Sequence, residues 1–328
     1  MDMDIQSKLE LFASNAQTAR KRFAWQHTLT RRMAALLYAR EGLPVDCDNI
    51  QHCHKLIKES TGVFSTFRGN MVLSLAALLS LSPDPKGLLE DTLKVYSMMK
   101  DEKFHASDHL VIAAYEVAAQ GDHMRYNEIV VRSRKFYTGM KSNRFFQTGQ
   151  DDYIYTAMLG LSDLDITAGV DRIEELYRRL KGEFWDNNSV QALAQILVLG
   201  GSDDDTAKRV LTLRDVLRSQ KIKLDRSYTL PSLGILAMLP VEIDVIVADI
   251  NEARKALRAQ KGFGSWSIAT QELLLFTAAI VAGYYARNLE NDSVSAAIST
   301  SIANIIIAQQ AAMISVIIAS TMMTTSSS

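Results

Sequence analysis

Apolar residues recur at helical spacing along nearly the whole chain, and the apolar runs come in pairs. Over 4–40 the stripe is Leu9, Phe12, Ala16, Ala19 and Phe23, continued by Leu29, Met33, Leu36 and Leu37, which predicts one or two amphipathic helices. Gly42 and Pro44 close this region. Beyond it the pattern predicts six helix pairs: 46–59 with 66–81, 88–102 with 107–120, 123–142 with 150–161, 165–181 with 188–199, 203–219 with 226–238, and 241–260 with 266–286. Pro83, Pro85, Gly121, Gly160, Gly200, Gly201, Pro240, Gly262 and Gly264 fall at or near the ends of these runs. No segment sustains the alternation of a strand.

The pairs share a register. The first helix of each closes on a long hydrophobe followed by a base: Ile57-Lys58, Met99-Lys100, Met140-Lys141, Leu180-Lys181, Leu217-Arg218 and Leu257-Arg258. The bases are 42, 41, 40, 37 and 40 residues apart, and each suits the negative end of a helix dipole. A turn residue expected to be buried follows (Phe64, Phe104, Phe145, Phe184, Ile222, Phe263), and then a polar residue placed to cap the second helix (Thr66, Ser107, Asp151, Asn188, Asp225, Ser265). A helix–turn–helix unit recurring about every 40 residues predicts an all-α fold of helical-hairpin repeats, an α-solenoid or a compact α/α array. The expected organisation is N-terminal amphipathic helices over 1–45, a hairpin-repeat domain over 46–290, and a charge-free apolar helix with a Ser/Thr tail over 291–328.

That last segment is the least ordinary. No charged residue occurs from Ser293 to Ser328, and 293–323 as one helix would be about 45 Å long, enough to span a bilayer. Asn304, Gln309 and Gln310 would then sit at its centre at considerable cost. The preferred expectation is that Ile302, Ile306, Gln309, Gln310, Met313 and Ile317 cap the last helix pair or pack on a second subunit. Membrane association through 293–323 is the alternative.

Composition changes this picture little. The 328 residues are 48 % hydrophobic and 22 % charged with a net charge of −1, so no global field recruits nucleic acid, and none is expected as a partner. Two cysteines make no secreted disulfide framework, and the opening MDMDIQSKLE lacks the apolar core of a secretory signal. The expected compartment is the cytoplasm.

Candidate chemistry is sparse. His27, Asp46, Cys47, His52, Cys53 and His54 are metal-ligand types, but without the paired short spacings of zinc sites, and Cys53 lies on an apolar stripe. Arg20, Lys21, Arg22, Arg31 and Arg32, interleaved with Phe23, Trp25 and Met33, read as the solvated side of amphipathic helices, with anion contact as the alternative. Ser97 and Lys100 match SxxK only through the repeat register, and Gly262-Phe263-Gly264 follows no strand. No catalytic residue, metal or cofactor is predicted. Arg68 with Asp151 and Asp152, at equivalent helix starts, is the candidate ligand-binding group.

The stretch 175–197 superficially resembles a pentatricopeptide repeat, but the period and the near-neutral charge do not fit. IKESTGVFSTFRGN (57–70), MKSNRFFQTGQDDYIYTAMLGLSD (140–163) and the charge-free Ala/Ile/Met/Gln tail resemble a bacterial protein family of unknown function and about this length. The resemblance implies an all-helical protein and no assigned activity. Three functions are weighed: a non-enzymatic repeat scaffold binding a protein or peptide partner or itself, a protein held on a membrane through 293–323, and an enzyme or small-ligand binder using Arg68 and Asp152.

Overall fold

A computed structural model describes residues 1–143, 148–288 and 304–312, and among these all regular structure is helical. The N-terminal region forms two helices, α1 (Met3–Arg22) and α2 (Thr28–Glu41). There follow α3 (Cys47–Ser60), α4 (Val72–Ser80), α5 (Pro85–Asp101), α6 (Asp108–Gln120), α7 (Tyr126–Asn143), α8 (Tyr153–Leu161), α9 (Ile166–Leu180), α10 (Asn187–Leu199), α11 (Asp204–Ser219), α12 (Leu230–Met238), α13 (Ile243–Ala259) and α14 (Thr270–Asn288). Residues 304–312 are helical as well. Among the described residues no helix is long and apolar enough to cross a membrane.

The described residues form two compact units that interleave in sequence. One comprises Met1–Lys21, Ala35–Val45 and the described part of Glu175–Gln310; the other comprises Arg22–Ala34, Asp46–Glu174 and 311–312. Within the second, α3 packs on α4, α5 on α6 and α7 on α8, while α5 touches both α3 and α7 and α6 meets α8. Within the first, α11 packs on α12 and α13 on α14, with α11 against α13 and α12 against both α10 and α14.

Burial follows the sequence pattern. The first helix of a pair is one-sided: α3 buries only Ile50, Cys53 and Ile57. The second is apolar all round, and α8 buries every residue from Tyr153 to Gly160. The hydrophobe before each base is in the core, with Ile57, Met99, Met140, Leu180, Leu217 and Leu257 all buried. Of the turn residues, Phe104, Phe184, Ile222 and Phe263 are buried, and Phe145 lies outside the described residues. Phe64 is a correction: it is fully solvent-exposed, and Phe67 takes the buried place, 5.0 Å from the ring of Tyr96. A 3-10 turn over Thr66–Arg68 is the reason, because it adds residues before α4 and turns Phe67 inward.

The same device corrects the helix starts. Ser107 caps α6 as expected, accepting from the Leu110 amide at 3.2 Å. Thr66 does not cap; Ser65 does, accepting from Phe67, and α4 itself has no side-chain cap. Asp151 gives way to a 3-10 turn over Gln150–Asp152, and α12 is likewise entered through Ser227–Thr229 while Asp225 pairs with Arg218. Asp186 rather than Asn188 caps α10, and α14 begins only at Thr270, beyond Ser265.

A second polar register lies nine residues before each base, at Asn49, Asp91, Arg132, Arg172, Arg209 and Asp249. Several of these side chains tie a first helix to the end of its partner. Asn49 donates to the carbonyl of Ser80 at 2.8 Å. Arg132 donates to the carbonyls of Gly160, Ser162 and Leu164 at 3.2, 2.8 and 2.6 Å. Arg209 repeats this on Ala237, Leu239 and Val241. Asp91 accepts from the hydroxyl of Tyr126, just past α6, and Asp249 from that of Tyr285 near the end of α14. The last carbonyls of a helix lack partners within it, and Asn49, Arg132 and Arg209 supply donors to them, whereas Asp91 and Asp249 act as acceptors for tyrosine hydroxyls.

Candidate functional site

Among the described residues a hollow lies in the second unit, between α3, the turn that follows α1, and α4. It has a volume of about 230 Å³. On α3 the positions Gln51, His54 and Lys58, three and seven residues apart, line it, while Ile50, Cys53 and Ile57 turn the other way into the core. The turn is closed by the Gln26 amide donating to the Phe23 carbonyl at 2.9 Å. It drops Phe23 into the core and leaves Trp25 70 % exposed, their rings edge-to-face at 6.3 Å. Leu73 of α4 completes the apolar floor.

The charge of the hollow is one-sided. Lys58 is its cation and no carboxylate lines it. Burial, with the Lys58 ammonium as a smaller cause, holds the His54 imidazole below its ordinary value of 6.5, so the ring is uncharged at neutral pH. The side chains of Gln26, Gln51, His54 and Lys58 bond to no other protein group among the described residues.

Arg68, one of the three residues singled out from the sequence, sits beside this hollow. Its Nε donates to Thr61 Oγ1 at 3.2 Å, and its Nη2 donates to the carbonyls of Lys58 and Thr61. The guanidinium thereby finishes the end of α3 and pins the backbone of Lys58. Asp152 is buried and accepts from the Gly149 amide at 2.8 Å, and Asp151 precedes it in the same 3-10 turn. Among the described residues no bond joins Arg68 to either aspartate.

The other candidates disperse. Cys47 and Cys53 are both free thiols, and burial pushes that of Cys53 up to about 11. Among the described residues no group of His, Cys, Asp and Glu could hold a metal ion. Of the basic residues read as a solvated face, Arg20, Lys21 and Arg22 are exposed, with Arg22 pairing with Asp48 at 2.9 Å, and Arg31 donates to Thr28 Oγ1 at 2.7 Å. Arg32 is a correction, because it is buried. The reason is that α2 is apolar on most of its surface, so Arg32 lies within its buried run from Arg32 to Ala39.

In the C-terminal segment, Ile302, Met313 and Ile317 lie outside the described residues. Ile306, Gln309 and Gln310 are buried. Within the first unit, Gln309 Nε2 donates to Ser232 Oγ of α12 at 3.1 Å. Gln310 Nε2 donates to Gln309 Oε1 at 2.8 Å and to the Leu275 carbonyl of α14 at 3.4 Å.

Sequence reasoning missed two features. It assigned Trp25, His54 and Lys58 to three separate motifs, although the i, i+3, i+7 spacing of Gln51, His54 and Lys58 carried a signal. It also passed over Trp185 and Trp266, in the turns after α9 and α13, which are 101 % and 104 % exposed. Their neighbours Phe184 and Phe263 are the buried ones, as the repeat register expects.

No curated protein and no solved structure matches the chain. A family model does match, over residues 15–311, and its description is that of a protein of unknown function (DUF4003). The match covers the helices from within α1 to 304–311, so the chain belongs to that family.

Proposed function

We propose that the chain is a non-enzymatic helical-repeat scaffold that binds a protein or peptide partner. The recurring carbonyl ties of Arg132 and Arg209 support the repeat part of this reading, since the same guanidinium meets the same three positions two helix pairs apart. The observation that carries the binding part is the full exposure of Trp185 and Trp266, in turns of two pairs of one unit. Scattered exposed hydrophobes are ordinary, but a wholly solvated tryptophan is the side chain most enriched among interface anchors.

The test is in-cell crosslinking of the full chain, wild type against the Trp185→Ala/Trp266→Ala double variant. The scaffold reading expects a discrete set of protein partners held by the wild type and lost by the variant, with thermal stability unchanged because neither side chain packs. An identical set from both chains sinks it.

A further inference from the structure

We propose that the hollow between α3, α4 and the 23–26 turn binds a small organic anion with a flat apolar body, such as a single-ring aromatic carboxylate. This site does not depend on the scaffold reading. Three observations carry it. First, the polar ends of Gln26, Gln51, His54 and Lys58 converge on one hollow and are spent on nothing else among the described residues. Lys58 has no counter-ion among the described residues, whereas Lys55, Lys86 and Lys208 pair with Glu59, Glu90 and Asp205. An ammonium beside a neutral imidazole and two amides, with no carboxylate, selects for negative charge.

Second, the remaining lining is flat and apolar. Phe23 and Leu73 form the floor and Trp25 stands at the rim with 70 % of its surface in solvent. A ring laid against the exposed side of Trp25 adds aromatic contact to the edge-to-face pair that Trp25 already makes with Phe23. A cavity of about 230 Å³ is small for a ligand site, which restricts the occupant to one ring and its acid group. Third, the cation is positioned: Arg68 clamps the carbonyls of Lys58 and Thr61, so the helix end that presents Lys58 is fixed before a ligand arrives.

The experiment uses the full chain carrying Trp185→Phe and Trp266→Phe, so that Trp25 is the sole indole. Its fluorescence is followed while benzoate, nicotinate or phenylacetate is titrated to millimolar concentration, with benzamide and inorganic phosphate as comparisons. The expected result is saturable quenching by at least one carboxylate, with benzamide and phosphate roughly tenfold weaker or worse. Lys58→Met should weaken the bound carboxylate by about tenfold or more, the scale of one charge-assisted hydrogen bond. Trp25→Leu, read by calorimetry, should weaken it as well. Both side chains are mostly exposed, and a melting curve verifies that the variants fold. Absence of saturable binding by all three carboxylates overturns the proposal. Binding that ignores Lys58→Met and Trp25→Leu overturns it too, as does phosphate binding as tightly as the carboxylates.

Discussion

Arg132 and Arg209 each hold three carbonyls at and just beyond the end of the following helix, a task that needs a planar fork of donors. Replacing either by Met strands those carbonyls, and urea unfolding should register a loss of about 3 kcal/mol. Lys at the same position should recover little, because one ammonium cannot span three acceptors in fixed directions. Gly160 is constrained from the opposite side of the same contact. A Cβ there would land on Ser133 Oγ and lie 2.7 Å from the Ile129 carbonyl, so Gly160→Ala should force α7 and α8 apart and cost about 1–3 kcal/mol. Gly234→Ala should cost less, since its nearest obstacle is the end of the Leu193 side chain, which can swing. His109 gives a pH signature. Burial pushes its imidazole down to about 4, from an ordinary value of 6.5. The unfolded chain therefore binds a proton that the folded chain refuses, and stability is lost as pH falls from about 6.5 towards 4, by at most about 1.4 kcal/mol per pH unit. The neighbouring Asp108 carboxyl, raised by its own burial, works in the opposite sense. Comparing urea midpoints of wild type and His109→Gln across that window isolates the histidine, and parallel curves would refute its role.

Among elements, the first helices are stripes and the second helices are solid cores, and that difference decides what each shows in sequence. An amphipathic stripe such as Ile50, Cys53 and Ile57 announces both helix and facing. A fully apolar run such as that of α12 announces burial without saying what covers it. For α12 part of the answer is the 304–310 stretch, through Gln309 on Ser232. Ser232→Ala should leave the Gln309 amide buried without its acceptor and cost about 1–2 kcal/mol, and adding Gln309→Leu should return only part of that, because it also removes the acceptor of Gln310 Nε2. A double-mutant cycle by thermal denaturation measures the coupling; a neutral Ser232→Ala would mean the stretch does not sit there in solution. The base closing each first helix was legible because residue type and spacing recur together. The register nine residues earlier was not, although its intervals are identical. It is filled by an amide, carboxylates and guanidinium groups, and only the bonds they make reveal that Asn49, Asp91, Arg132, Arg209 and Asp249 hold equivalent places.

For the whole molecule, the 304–310 stretch matters because it covers part of α12 and α14, through Gln309 on Ser232 and Gln310 on the Leu275 carbonyl. A chain ending at Asp292 loses the 304–310 stretch and bares the faces of α12 and α14 around Ser232 and Leu275. Light scattering after size exclusion, without detergent, should find the full chain at one discrete mass and the shortened chain aggregated or changed in mass. A shortened chain that is discrete while the full chain aggregates would instead make the segment an anchor for a membrane or partner. The candidate hollow belongs to this scale too. It draws on three stretches, 23–26, 51–58 and Leu73. In sequence Trp25 belongs to the basic N-terminal stretch and His54 to a scatter of metal-ligand types, and they share a hollow only when the turn after α1 folds onto α3.

The sequence by itself determined the helices, their pairing along the chain, the buried face of each first helix and the dipole-matched base that ends it. All of these follow from periodicity and local chemistry, which are properties of neighbours in sequence. Tertiary structure alone decided that Phe67 rather than Phe64 turns inward. It also decided that 3-10 turns rather than the expected residues start α4, α8 and α12, that Arg68 is spent on the end of α3, and that Lys58 is left without a counter-ion. Each of these depends on packing and on which donor or acceptor lies within reach once the chain has folded, which spacing along the chain does not encode.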